Sequence, residues 1–231
     1  MNNVKLIVFD IAGTTVKDNG EIANAFANAL KEFGYNVPKT KINPLMGYKK
    51  PQAIRMMVEE YEGDNQKITD EYIDGIHERF LQLMIEHYKT TEEIVPLPNV
   101  LEVFSSIKNK GIKIGLDTGF SSDITDVIMN RLGWLKDGVV DYTVSSNEVP
   151  AGRPQPFMIQ RMMQQANITD TQQVIKIGDT EVDVQEGKNA GCLYSIAITT
   201  GAFTRKELLP YEPSFIIDDM KELLPIIEPL V

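Results

Sequence analysis

The chain has 231 residues, a net charge of −10 and a single cysteine. That length supports one large domain or two smaller ones with a substantial core. The acidic balance argues against nucleic acid or an anionic membrane as a partner, because both require a basic face, and no apolar run reaches the length of a membrane span. Met1 to Lys5 carries no charged leader and Cys192 has no internal disulfide partner, so a cytoplasmic protein is expected. Cys192, within Asn-Ala-Gly-Cys-Leu, reads as a packing residue.

The first expected strand, Leu6–Phe9, is apolar and β-branched, as a strand buried on both faces of a parallel sheet should be. It stops at Asp10-Ile11-Ala12-Gly13-Thr14-Thr15, which puts a carboxylate at a strand end, the usual ligand position in open α/β sheets. The same residues also make good turn chemistry. From Glu21 to His87 no strand signal interrupts the helical periodicity. Helices are expected over Glu21–Phe33, Pro51–Tyr61 and Thr69–Tyr88, with breaks at Gly34 to Gly47 and Gly63 to Gln66. The chain departs for this segment through Lys17-Asp18-Asn19-Gly20 and returns through Pro96-Leu97-Pro98, a stiff connector suited to a hinge.

Strands then recur at Ile112–Leu116, Val139–Val144, Val174–Ile177 and Tyr194–Ile198. Helical patterns lie between and before them at Val100–Lys110, Asp123–Leu132, Phe157–Ala166 and Val182–Ala190, with Gly111, Gly133 and Gly191 as stop signals. This alternation predicts an α/β fold, a doubly wound parallel sheet covered on both faces. Residues 1–16 and 96–231 form the expected core, and residues 17–95 an inserted all-helical domain.

Four groups stand at expected strand ends: Asp10; Asp117-Thr118-Gly119; Gly152-Arg153-Pro154; and Gly178-Asp179-Thr180-Glu181-Val182-Asp183. A hydroxyl at Thr118 and a nearby amide could hold a phosphoryl oxygen, and the Arg153 guanidinium could bind phosphate in fork geometry. Asp10 and Asp179 offer hard oxygen ligands for Mg²⁺, and Asp183, one turn into the next helix, could orient a metal-bound water or a cation. Glu181 reads as a solvated charge favoured by the helix dipole. His77 and His87 are expected to point to solvent.

In these motifs the chain resembles the haloacid dehalogenase superfamily. Asp10 to Val16, Thr118-Gly119-Phe120, Gly152-Arg153-Pro154 with Pro156, and Gly178-Asp179-Thr180 through Gly191 are most similar to the phosphonatases, the phosphonoacetaldehyde hydrolases. The resemblance implies a Rossmann-like core, a nucleophile at Asp10, a backbone metal ligand at Ala12, phosphate contacts at Thr118, Gly119 and Arg153, metal-site carboxylates at Asp179 and Asp183, and a mobile helical cap. In Met46-Gly47-Tyr48-Lys49-Lys50 it implies a substrate loop of the cap that ends in a Schiff-base lysine, Lys50. Lys49 or Arg55 is the expected cationic neighbour that would lower the pKa of that lysine.

Phosphatases and mutases of the superfamily keep an acid/base aspartate where this chain has Ala12. Alanine transfers no proton, which suits a substrate whose leaving group is activated in another way, such as an iminium that accepts the electrons of a breaking C–P bond. The chain departs from typical phosphonatases at Ala53, where they carry a histidine, and in a shorter cap. The expected partner is a small phosphonate or phosphorylated metabolite. Two readings stand beside C–P hydrolysis: a phosphoglycolate-phosphatase-like enzyme acting on a phosphate ester or acyl phosphate, and a phospho-aspartate receiver module, against which the helical insertion counts. A homodimer is implied by analogy only.

Overall fold

The computed structural model describes residues 3–62, 68–92 and 94–230. Its centre is a parallel sheet of six strands: β1 (Leu6–Asp10), β2 (Lys113–Thr118), β3 (Tyr142–Ser145), β4 (Val174–Gly178), β5 (Tyr194–Ile198) and β6 (Phe215–Ile217). Their spatial order is β3-β2-β1-β4-β5-β6. Strand order reverses between β1 and β4, so the crevice at their carboxyl ends is where a doubly wound sheet binds ligands.

Side chains alternate across β1: Ile7 and Phe9 join the larger core, while Leu6 and Val8 join a second core under the opposite layer. Helices α5 (Val100–Asn109) and α10 (Leu223–Ile227) belong to the first. On the other side, α7 (Phe157–Gln165) packs on β2 and β3, and α8 (Glu181–Ala190) on β4 and β5. The short helix α9 (Arg205–Leu208) follows β5.

Between β1 and α5 the described residues form helices only: α1 (Glu21–Glu32), α2 (Lys39–Ile42), α3 (Lys50–Glu62) and α4 (Asp70–Thr90). Helix α4 holds the insertion together, packing on α1, on α3 and on α6 (Ser122–Leu132) of the sheet domain. Thr69 caps α4 by accepting from the Tyr72 amide, as a threonine before a helix is suited to do. At the other end, Arg131 on α6 donates to the carbonyls of Tyr88, Thr91 and Glu92, giving the last turn the partners it lacks within the helix. The outgoing and returning chains are joined by a bridge between Val16 and Pro96 and by the Lys17 amide on the Val95 carbonyl, 2.9 Å.

Three expectations change. The third strand begins at Tyr142 rather than Val139, because Asp141 accepts from the Ile114 amide at 2.9 Å and pairs with Lys108 and Lys113 at the strand entrance. The stretch from Gly34 to Gly47 is not a plain break, since it contains α2 and a 3-10 turn over Asn43–Leu45. The edge strand β6 and helices α9 and α10 had no counterpart in the sequence reading. The break expected at Gly63 to Gln66 lies outside the described residues.

Candidate active site

At the carboxyl ends of β1, β2 and β4, a cavity of about 220 Å³ lies between the sheet and the insertion. Asp10, Ala12, Thr118, Gly119 and Asp179 line it from the sheet side; Met46, Gly47 and Lys50 line it from the insertion. The core motifs and the loop before α3 therefore meet around one space.

The loop reaches that space because two glycines let backbones touch. A Cβ on Gly119 would overlap the Tyr48 carbonyl and lie 2.6 Å from that of Gly47. One on Gly47, whose φ is +86°, would overlap the Thr180 hydroxyl and lie 2.7 Å from Val182. Tyr48 then donates its hydroxyl to Glu181 at 2.9 Å, so Glu181 is a partner of the insertion rather than a freely solvated charge. Lys49 is half-buried against Gly152, and Lys50 opens α3.

Lys50 is 3% exposed, and its Nζ lies 5.4 Å from the Phe26 ring centroid and 5.1 Å from that of Phe120. Burial pushes its pKa down to about 8; Asp10 opposes the shift and Arg153 assists it. The cationic neighbour is thus Arg153, whereas Arg55 pairs with Asp70 at 2.5 Å and Glu59 at 3.8 Å near the surface. The histidines are half-buried rather than solvent-facing, because His77 stacks on Phe80 and His87 packs edge-on against Tyr88.

Beneath Asp10 lies a cluster of buried charges. Parallel register pairs Asp10 with Asp117, which sets two carboxylates side by side on neighbouring strands. Arg153, fully buried, resolves the repulsion: its Nη1 is 2.7 Å from Asp10 and 3.0 Å from Asp183, its Nη2 contacts Asp117, and its Nε is 3.2 Å from Glu186. Lys176 contacts Asp117 and lies 3.1 Å from Asp183 and 3.3 Å from Glu186. The guanidinium that the sequence suggested for phosphate is therefore turned toward carboxylates and stands directly behind Asp10.

Burial alone would raise Asp117, but Arg153 and Lys176 outweigh it and hold its carboxyl below the usual range. Burial and the Asp117 charge push Glu186 well above its usual range. Asp10 is pushed up to about 6 by burial, with Arg153 opposing.

Asp179 is placed by Thr14, whose hydroxyl donates at 3.1 Å, and by the Ala202 amide at 2.7 Å. A Cβ on Gly13 would come 2.8 Å from its Oδ2, so a glycine there makes room for the carboxylate. Burial, then the charges of Asp10 and Asp183, raise Asp179 well above the carboxylate range. A buried carboxylate repelled by two others suits a cation between Asp10 and Asp179, and the hard oxygens here suit Mg²⁺. Asp183 lies behind, accepting from the Thr180 hydroxyl at 2.5 Å and its amide at 3.2 Å. Asp10, Asp117 and Asp183 also offer oxygens within 4.8 Å of one another, although Arg153 and Lys176 already neutralise that trio.

Sequence reasoning missed Asp117 as a charge, Lys176, Glu186, Thr14 and Asp18. One signal was available: Lys176 interrupts the otherwise apolar run Val174–Ile177, and a lysine within a strand buried on both faces requires counter-ions. Glu186 falls three residues after Asp183, on the same face of α8.

An open α/β sheet with a buried carboxylate at its switch point, a second acidic strand end and a helical insertion over both is the architecture of a class of hydrolases. Residues 7–197 match the family model for haloacid dehalogenase-like hydrolases, and the chain belongs to that family. It is 31% identical over 211 residues to a phosphonoacetaldehyde hydrolase of Bacillus mycoides (strain KBAB4), covering 86% of this chain and 77% of that protein. Among solved structures, a phosphonoacetaldehyde hydrolase-like protein from Oleispira antarctica superimposes with a TM-score of 0.84 at 20% identity, covering 99% of this chain and 93% of the other. A predicted phosphoglycolate phosphatase from Haemophilus somnus 129PT gives 0.78 at 19% identity, covering 99% and 100%.

Proposed function

We propose that the protein is a Mg²⁺-dependent phosphonatase-type hydrolase in which Asp10 is the nucleophile, Lys50 the Schiff-base lysine, and residues 17–95 the cap. The observation that carries this reading is Lys50: a buried amine with its pKa lowered toward neutrality, lining the same cavity as Asp10. An amine so placed can attack a carbonyl, whereas a solvated ammonium cannot.

In this reading the neutral Lys50 amine adds to the aldehyde of phosphonoacetaldehyde and water leaves, giving an iminium. A carboxylate oxygen of Asp10 then attacks phosphorus. The C–P bond breaks, and its electron pair passes to the iminium nitrogen to form an enamine. The enamine takes a proton on carbon, and water hydrolyses the resulting iminium to acetaldehyde and free Lys50. A second water releases phosphate from the aspartyl-phosphate. Asp10, the Ala12 carbonyl and Asp179 would hold Mg²⁺, with Asp183 behind, and the ion would supply positive charge against the phosphoryl oxygens. Thr118 and Gly119 bind the phosphoryl group, while Arg153 orients Asp10 and stabilises its charge. Met46, Gly47 and Lys49 form the substrate loop. Pairing of two copies through the cap belongs to the same proposal.

Borohydride reduction in the presence of phosphonoacetaldehyde is expected to fix the substrate carbon on Lys50, and Lys50→Ala is expected to abolish trapping. Trapping that persists in the variant assigns the chemistry to another amine. The second reading, a phosphatase for a small ester or acyl phosphate, is favoured by Ala53, which leaves α3 without the histidine of typical phosphonatases; full phosphatase activity in Lys50→Ala would establish it.

A further inference from the structure

Among the described residues, the ionisable side chains lining the cavity are Asp10, Asp18, Lys50 and Asp179. The mechanism above employs three of them and leaves Asp18 without a role. It also lacks a proton donor. Ala12 cannot transfer a proton, Ala53 carries no imidazole, and the hydroxyls of Thr118 and Thr180 are not acids near neutrality.

Asp18 stands where the chain passes from the sheet to the insertion. Its Oδ1 accepts from the amides of Gly20, Glu21 and Ile22, at 3.2, 3.0 and 3.4 Å, and so holds the start of α1. All three amide bonds fall on Oδ1, and the carboxyl also shares a side-chain hydrogen bond with Glu21. Burial and the neighbouring Glu21 carboxylate push the group up to about 6, so both of its protonation states are within reach near neutral pH. Its charge is also among those that act on the Lys50 amine.

We infer that Asp18 is the general acid/base of this site. It donates a proton to the carbinolamine hydroxyl formed when Lys50 adds to the aldehyde, so that the oxygen leaves as water and the nitrogen lone pair completes the iminium. As a carboxylate it then takes a proton from the water that attacks the iminium after C–P cleavage, which restores its starting state. This inference rests on the Schiff-base reading and adds to it the group that moves the protons.

Asp18→Asn separates this role from a structural one, because asparagine caps a helix as well as aspartate does and transfers no proton; Asp18→Ser provides a second capping variant. Each is mixed with phosphonoacetaldehyde, quenched with borohydride at intervals, and the Lys50 peptide is weighed. Melting temperature and hydrolysis of acetyl phosphate, which forms no imine, are followed in parallel. Imine formation is expected to slow by about 10²-fold, the usual range for a lost acid/base group, while melting is unchanged and acetyl phosphate hydrolysis falls by less than a tenth of that factor. Imine formation at the wild-type rate, or equal losses on both reactions, would overturn the inference alone. If wild-type Lys50 forms no imine, the Schiff-base reading fails and the inference fails with it.

Discussion

An ammonium stripped of water is less stable than one in solvent, even with two aromatic rings beside it, and in the proposed mechanism Lys50 turns this cost into nucleophilicity. The pH dependence follows. In the proposed mechanism Lys50 attacks only when neutral and Asp18 donates only when protonated, so turnover of phosphonoacetaldehyde should hold a plateau between about pH 6 and about pH 8 and fall at higher pH. The same mechanism needs Asp10 ionised; burial pushes its carboxyl up to about 6, and a cation beside it would move that value down. Acetyl phosphate, which does not involve Lys50, should therefore reach its plateau at lower pH. Profiles of kcat/KM for the two substrates check this, and coincident profiles would contradict it. The motif residues Asp10, Ala12, Thr118 and Asp179 were legible in the sequence because each sits at a strand end, where the fold itself places it on the cavity. Asp117, Lys176 and Glu186 were not, because their meaning depends on one another across separate elements: register between β1 and β2 and helical spacing on α8 bring them around Arg153.

At the scale of elements, the decisive contact is the seat of residues 47 and 48 between Gly119 and Thr180. A methyl group on Gly119 cannot coexist with the Tyr48 carbonyl in its present place, so Gly119→Ala must lift the loop and carry Lys50 away from Asp10. The change is expected to lower kcat/KM by about 10²-fold, the scale of an ångström-sized misplacement. Unfolding free energy should fall only by about 1–3 kcal/mol, the range for modest overpacking. Kinetics and urea denaturation test both parts, and unchanged kcat/KM would show that the loop seat does not matter. The long helices were legible because α1, α4 and α5 place buried residues at helical spacing along one face. The three-residue edge strand β6 and the four-residue helix α2 are too short to show any periodicity, and only tertiary contacts define them.

Across the whole molecule, four buried carboxylates, Asp10, Asp117, Asp183 and Glu186, surround two buried cations, Arg153 and Lys176. Removing either cation leaves carboxylates unpaired away from water. Lys176→Met, which keeps the length of the side chain, is expected to cost about 3–5 kcal/mol of stability, the range for a broken buried ion pair. Denaturant unfolding checks it; a loss under about 1 kcal/mol, the range of exposed pairs, would mean that the cluster readily admits water. In the proposed reading, a divalent cation held by carboxylates of the cleft, together with Lys50, would reverse the sign of the field there and let a chain of net charge −10 take an anionic substrate. No helix among the described residues is long and apolar enough to cross a membrane. The overall architecture was legible because strand and helix signals alternate along residues 96–231, while the cavity between sheet and insertion exists only once the chain folds back on itself. The most direct measurement is phosphate release with Mg²⁺ from phosphonoacetaldehyde, run beside phosphoglycolate and acetyl phosphate. Release from the phosphonate, lost in Lys50→Ala, is the predicted result; release confined to phosphoglycolate or acetyl phosphate would contradict C–P cleavage and leave a phosphatase on a phosphonatase scaffold.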